Sequence, residues 1–242
     1  KVSNKIKIIF IFSIIILTYD RYLFGGYQEY LLFSFLLIFS KLFVIFVRDV
    51  DKNKFLFLLL LLCGNILVWI KTEGLFLFLF LMFLFSLHHA INSKSKALFA
   101  ILVIFLLIIK TYMFQLFFAD ISFQSHYQHD EYFKYLLDIN RYLERFIPIF
   151  LHIVIAMFKY PVWVLVFFCL LFILSDKTYF KNNFYFIIFF IFNIIFIFGS
   201  FFLSSHAGWQ WQLATTVDRL MLVNLGFYIP LLVFVLNKKL FK

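Results

Sequence analysis

The sequence predicts an all-α, polytopic transmembrane helical bundle of about eight spans, because apolar runs near the ~20 residues of a bilayer crossing follow one another along it. Composition agrees: of 242 residues, 65% are hydrophobic and only 14% charged, far from the balance of a soluble domain. The 41 Phe could not all hide in a water-soluble core of this length, whereas lipid accepts them on every helix face. The residues behind the net charge of +10 sit in short loops between apolar runs, which is how membrane topology is encoded. The expected partner is therefore the lipid bilayer and not nucleic acid.

The runs are Ile6 to Tyr19, Tyr30 to Val47, Phe55 to Ile70, Leu75 to Leu87, Ala97 to Ala119, Pro161 to Ser175, Phe184 to Leu203 and Leu220 to Leu236. Phe55 to Leu87 as one helix would run roughly 50 Å through a hydrocarbon layer of about 30 Å, so Lys71-Thr72-Glu73-Gly74 must be a turn. Phe146 to Ser175 poses the same problem, and Lys159-Tyr160-Pro161 is the expected break. Ahead of that break, Tyr132, Leu136, Ile139, Leu143, Phe146 and Phe150 share one helical face, while Lys134, Asp138, Arg141 and Arg145 share another. This pattern predicts an amphipathic helix over 131–157 lying on the membrane. The whole chain, 1–242, reads as a single transmembrane domain. It enters apolar sequence at once from Lys1, without the ordered regions of a secretory leader, so an amino-terminal truncation is expected. Cys63 and Cys169 lie inside apolar runs and read as small core residues.

With those spans, Arg48, Lys52, Lys54, Lys94, Lys96, Lys177, Lys181, Lys238 and Lys239 fall on one side, assigned to the cytoplasm. Glu29, Glu73, Asp120, Asp130, Glu131, Asp138, Glu144 and Asp218 fall on the other, together with all four Trp, placed as in an aromatic belt.

Three clusters stand out on that outer side. Gly25-Gly26-Tyr27-Gln28-Glu29-Tyr30 opens a span, where Glu29 suits the positive end of the helix dipole and reads equally as a capping carboxylate. Trp69-Ile70-Lys71-Thr72-Glu73-Gly74 is a charged hairpin, either an ion-paired turn or a lysine and carboxylate held at one depth for a charged substrate. In Trp209 to Leu220, Thr215 followed by Asp218 has the spacing of a capping box. That would set Arg219 in the first turn of the last span, where a guanidinium beside free amides suits an anion such as phosphate. The plainer alternative is neutralisation of Arg219 by Asp218 or Glu73.

His126-Tyr127-Gln128-His129-Asp130-Glu131 matches no metal-ligand spacing and reads as a solvated loop. His88, His89 and His152 read as interface residues. Lys41 and Lys110 lie within spans, where a cation marks a functional path or reaches to the interface.

Taken together, the clusters resemble the carboxy-terminal portion of a GT-C superfamily glycosyltransferase, in the bacterial group similar to protein mannosyltransferases and lipid-linked sugar transferases. Gly26-Tyr27-Gln28-Glu29 resembles the family's glycine-tyrosine-any-acid element, and Lys71-Thr72-Glu73-Gly74 its K-x-E-G hairpin. Trp211 to Leu220 resembles the late W-H-L-x-T-S-x-D-R-L element, with Gln212 in place of the usual His and Thr216 in place of Ser.

The resemblance implies sugar transfer from a polyprenyl-phosphate donor to a glycan, lipid or protein acceptor, at the extracytoplasmic face of the bacterial inner membrane. It implies catalytic roles for Glu29 and Glu73, and lipid-phosphate contacts from Lys71, Arg219, Asp218 and Trp211. A divalent cation, Mg or Mn, is an implied cofactor with Glu29 as a candidate ligand. The family's first outer-loop carboxylate should lie upstream of Lys1. A transporter or flippase of a lipid-linked sugar, or a non-catalytic membrane subunit, are the competing readings.

Overall fold

The computed structural model describes residues 28–48, 54–70, 72–86, 137–175, 177–204 and 208–240, with isolated positions at 109, 113 and 135. Among the described residues there are seven helices and no strands: α1 (Glu29–Arg48), α2 (Lys54–Ile70), α3 (Thr72–Ser86), α4 (Ile139–Lys159), α5 (Val162–Ser175), α6 (Lys177–Leu203) and α7 (Trp209–Leu240). The all-α class follows from the bilayer itself, where backbone polar groups must be satisfied within each segment.

Among the described residues, α1, α6 and α7 are long and apolar enough to cross a membrane, and the bent pair α4–α5 adds a fourth crossing if counted as one span. The chain is a membrane protein by these helices. The expected runs Ile6 to Tyr19 and Ala97 to Ala119 lie outside the described residues, apart from single helical positions at Ile109 and Met113. Helices α2 and α3 have 17 and 15 residues, short of a full crossing of about 20.

The described residues fall into two compact units, 1–41 with 126–242, and 42–125. In the second, α2 ends at Ile70, α3 begins at Thr72 and the two pack against each other, so Thr72 to Gly74 are helical where a turn was expected. In the first, α4, α5, α6 and the first part of α1 gather on α7.

Asp138 caps α4, its Oδ1 accepting from the backbone N–H of Asn140 at 3.1 Å and of Arg141 at 3.4 Å. The helix therefore starts at Ile139, because a side chain that satisfies the free amides of the first turn fixes the start; the expected stretch 131–136 lies outside the described residues apart from position 135. It ends where Tyr160 turns extended, its N–H still bonded to Ala156 O. Pro161 then sits just ahead of α5, where its missing N–H has no helical partner to lose. The axes of α4 and α5 differ by 102° at this break.

The orientation of α4 is the reverse of a soluble amphipathic helix. Leu143, Phe146, Phe150, Ile155 and Phe158 are exposed, whereas Arg145, Ile149, Ile153 and Ala156 are buried. The apolar stripe faces out, as it must where the surroundings are lipid.

Helix α7 is longer than the run Leu220 to Leu236: at 32 residues it extends for roughly 48 Å. Its middle forms the core. Trp163 donates from Nε1 to Met221 O at 3.2 Å and packs on Tyr228, while Phe227 lies 3.9 Å from Phe189 between ring centroids. At Gly226 an added Cβ would meet Phe33 O at 2.5 Å, so only glycine lets α1 and α7 approach this closely. Ser40 Oγ, one helical stretch further along α1, donates to Phe227 O.

The four Trp are not one class, as a belt would require. Trp69 and Trp211 are exposed, but Trp163 is fully buried and Trp209 nearly so. Cys63 is half-buried and Cys169 buried, both free thiols.

Candidate functional site

Polar groups of the first unit collect where α1 and α7 begin and α6 ends. Glu29 opens α1, as the sequence indicates, yet its carboxylate is turned inward and is 4% exposed. There it accepts from Arg219 Nη1 at 3.1 Å, across 190 positions of chain. The guanidinium is held on two further sides by its own helix, Nε donating to Thr215 O at 3.1 Å and Nη2 to Thr216 Oγ1 at 3.3 Å. A buried carboxylate needs such a partner, and Arg supplies a planar set of donors to meet it.

The neighbouring residue, Asp218, pairs with Lys159 in the last turn of α4. Two acids and two cations thus alternate along the seam of α1, α7 and α4. Lys159 was visible in the sequence only as part of the α4–α5 break. The one signal was a cation in a helix's last turn, where it complements the dipole.

The capping-box expectation is overturned. Helix α7 begins at Trp209, with Gln212 N–H bonded to Gly208 O, so Thr215 and Asp218 lie well inside it. Thr215 Oγ1 turns back to the carbonyls of Trp211 and Gln212, as a hydroxyl inside a helix does. Arg219 is in the third turn rather than the first, so no free backbone amides flank it, and an acid that neutralises it is Glu29.

Trp211 is 71% exposed and contributes its backbone carbonyl to Thr215. Lys71 lies outside the described residues, and Glu73 is described only as part of the α3 backbone. The segment His126 to Glu131, His88, His89 and Lys110 also lie outside them. His152 binds through Nδ1 to Pro148 O of its own helix, and Lys41 is exposed along α1. Among the described residues no three His, Cys, Asp or Glu side chains converge as metal ligands would. Glu29 is engaged by Arg219 and is joined by no such set of ligands among the described residues, so these residues do not fit a divalent cation.

A second polar cluster was missed in the sequence. Arg145 Nη1 donates to Phe201 O at 2.6 Å and Ser204 O at 2.9 Å, and Arg141 Nη2 also donates to Ser204 O. These are carbonyls that the end of α6 leaves free. The Arg145 guanidinium lies 4.8 Å from the Trp209 ring centroid and that of Arg141 3.8 Å from Tyr135. Ser204 Oγ approaches Gln212 Oε1 at 3.5 Å, tying the α6 end to the first turn of α7.

No protein family, curated protein or solved structure matches the chain.

Proposed function

We propose that the chain is part of a membrane glycosyltransferase that moves a sugar from a polyprenyl-phosphate donor to an acceptor at the extracytoplasmic face of a bacterial inner membrane. The observation that carries this reading is the contact between Glu29 and Arg219. Two of the three elements that resemble the GT-C family lie 190 positions apart in the chain, and their charged residues meet at one place. Lys159 and Asp218 extend the same charged seam.

In such a transfer the bond between the anomeric carbon and the lipid phosphate breaks while the acceptor oxygen forms its own bond to that carbon and gives up a proton. Negative charge grows on the departing phosphate, and a fixed guanidinium there stabilises the transition state more than the ground state. Arg219 takes this role. Glu29 and the Thr215 carbonyl orient it, and Asp218 places Lys159 beside it as a second cation. The catalytic role of Glu73 and the phosphate contacts of Lys71 and Trp211 rest on the family resemblance alone. The apolar outer face of α4, lying along the leaflet, would form one wall of a groove open to the lipid carrier.

Transfer of radiolabelled sugar from a lipid-linked donor, measured in membranes that contain the chain within its full-length protein, tests the reading. Arg219→Ala is expected to lower transfer by roughly two orders of magnitude while Arg219→Lys retains part of it. Unchanged transfer in Arg219→Ala would remove the phosphate role. A second reading has its own support, since the guanidinium is held by Glu29 and its own helix: the ion pair would then be a clamp in a non-catalytic subunit. Arg219→Ala would in that case lower the unfolding midpoint, and the wild-type chain would transfer nothing. The flippase reading gains nothing from Lys41, which is exposed rather than lining an interior path.

A further inference from the structure

We propose that Arg141 and Arg145 form a second anion site, specific for the phosphate of a lipid headgroup and separate from the seam at Arg219. Each guanidinium has five N–H groups. Arg145 uses Nη1 on two carbonyls and Arg141 uses Nη2 on one. The Nε of both is buried and has no hydrogen-bond partner. The carbonyls explain why the side chains cap α6, but they carry only the partial charge of a helix end, about half a unit, against two full positive charges.

Among the described residues neither Arg has a carboxylate partner. Glu144 is exposed on the same helix and acts on Arg145 through its field without forming an ion pair. Two like charges side by side, one of them 8% exposed, need an oxyanion with several acceptors. A phosphate presents them in the geometry that guanidinium edges match.

The source is set by the rest of α4. The helix that carries the pair exposes Leu143, Phe146, Phe150 and Leu151 on its outer side. Helix α4 at the leaflet surface puts the pair at headgroup depth, with half-buried Arg141 as the approach and Arg145 behind it. Arg219 stands ten residues after Trp209, the ring over Arg145, about 15 Å further along α7. The inference needs α4 to face lipid, but it does not need sugar transfer.

Equilibrium binding to the full chain in uncharged detergent tests it, with three probes: dihexanoyl phosphatidic acid, dihexanoyl phosphatidylcholine and inorganic phosphate. The wild type should bind phosphatidic acid at least about tenfold more tightly than either other probe, and Arg141→Gln/Arg145→Gln should remove that preference. Arg141→Gln alone, at the half-buried position with one carbonyl bond, should lose most of it with its unfolding midpoint near wild type. Arg141→Lys/Arg145→Lys should keep the charge but lose the fork, giving an intermediate affinity.

Equal binding of inorganic phosphate would make this a free-phosphate site and overturn the lipid assignment. Wild-type binding in Arg141→Gln, or no preference in the wild type, would overturn the site. Binding lost in Arg219→Ala but kept in Arg141→Gln/Arg145→Gln would move the anion to the other seam. Absence of any transferase activity would leave these binding results standing.

Discussion

Helices α4 and α5 follow one another around a single turn, yet they bury opposite kinds of surface. Inside α5 the buried residues are Val162, Trp163, Val166, Cys169, Leu170 and Ile173, all apolar or nearly so. Inside α4 they begin with Arg145, and its flanking cations Arg141 and Lys159 turn to carbonyls and a carboxylate. Both helices present apolar side chains outward. In lipid the outer face carries no information about what a helix holds. The inner face does, and here it separates a packing helix from one anchored by charge.

The comparison breaks most sharply at Trp163. It is fully buried, donates to Met221 O and packs on Tyr228. Trp163→Ala should cost about 3 kcal/mol, at the lower end for a large core aromatic because part of the transfer term vanishes when the surroundings are already apolar. Denaturant unfolding in micelles, followed by circular dichroism, would measure it. A loss below about 1 kcal/mol would mean that α5 is not held by packing.

The matching change in α4 is Arg145→Met, similar in length and without charge. It leaves the Phe201 carbonyl without its Arg145 donor at the end of α6, while Ser204 O keeps Arg141. The cost of that unsatisfied group, about 2 kcal/mol, is offset in part because one of two like charges is no longer buried. The net loss should be about 1 to 2 kcal/mol, smaller than at Trp163. Phe150→Ser, on the outer face of the same helix, should leave stability in micelles nearly unchanged and weaken association with vesicles. An equal loss at both positions would remove the distinction between the two faces.

Hydropathy alone makes much of this fold legible. Tyr30 to Val47 became Glu29–Arg48 and Phe55 to Ile70 became Lys54–Ile70, because charged residues end apolar runs abruptly. The last span was missed at its start, because Trp209 to Arg219 is too polar for a hydropathy run and its Thr and Asp imitate a cap. The helix exists there because α4 and Glu29 supply partners that sequence spacing cannot reveal. For α4 the periodicity separates exposed Ile139, Leu143, Phe146 and Phe150 from Arg141 and Arg145, but does not say which face meets protein. Periodicity is symmetric to that choice, and only the solvent decides it. Glu29 and Arg219 each stand out in their own segment, but their pairing across 190 positions could not be read from any local pattern.

The smallest expected effect lies at the end of α4. Lys159 and Asp218 have side chains 41% and 20% exposed, so their ion pair is screened and should contribute below about 1 kcal/mol. A double-mutant cycle with Lys159→Met and Asp218→Asn would measure the coupling directly. If the pair only fastens α4 to α7, the two single variants should behave alike in stability and in transfer. If Lys159 assists Arg219 at a departing phosphate, Lys159→Met should reduce transfer about tenfold at unchanged stability, and Asp218→Asn should reduce it less, because the cation remains. The sharper contrast between α4 and α5 therefore rests on function rather than folding: the weakest anchor of α4 is the one whose loss should be seen chiefly in the reaction.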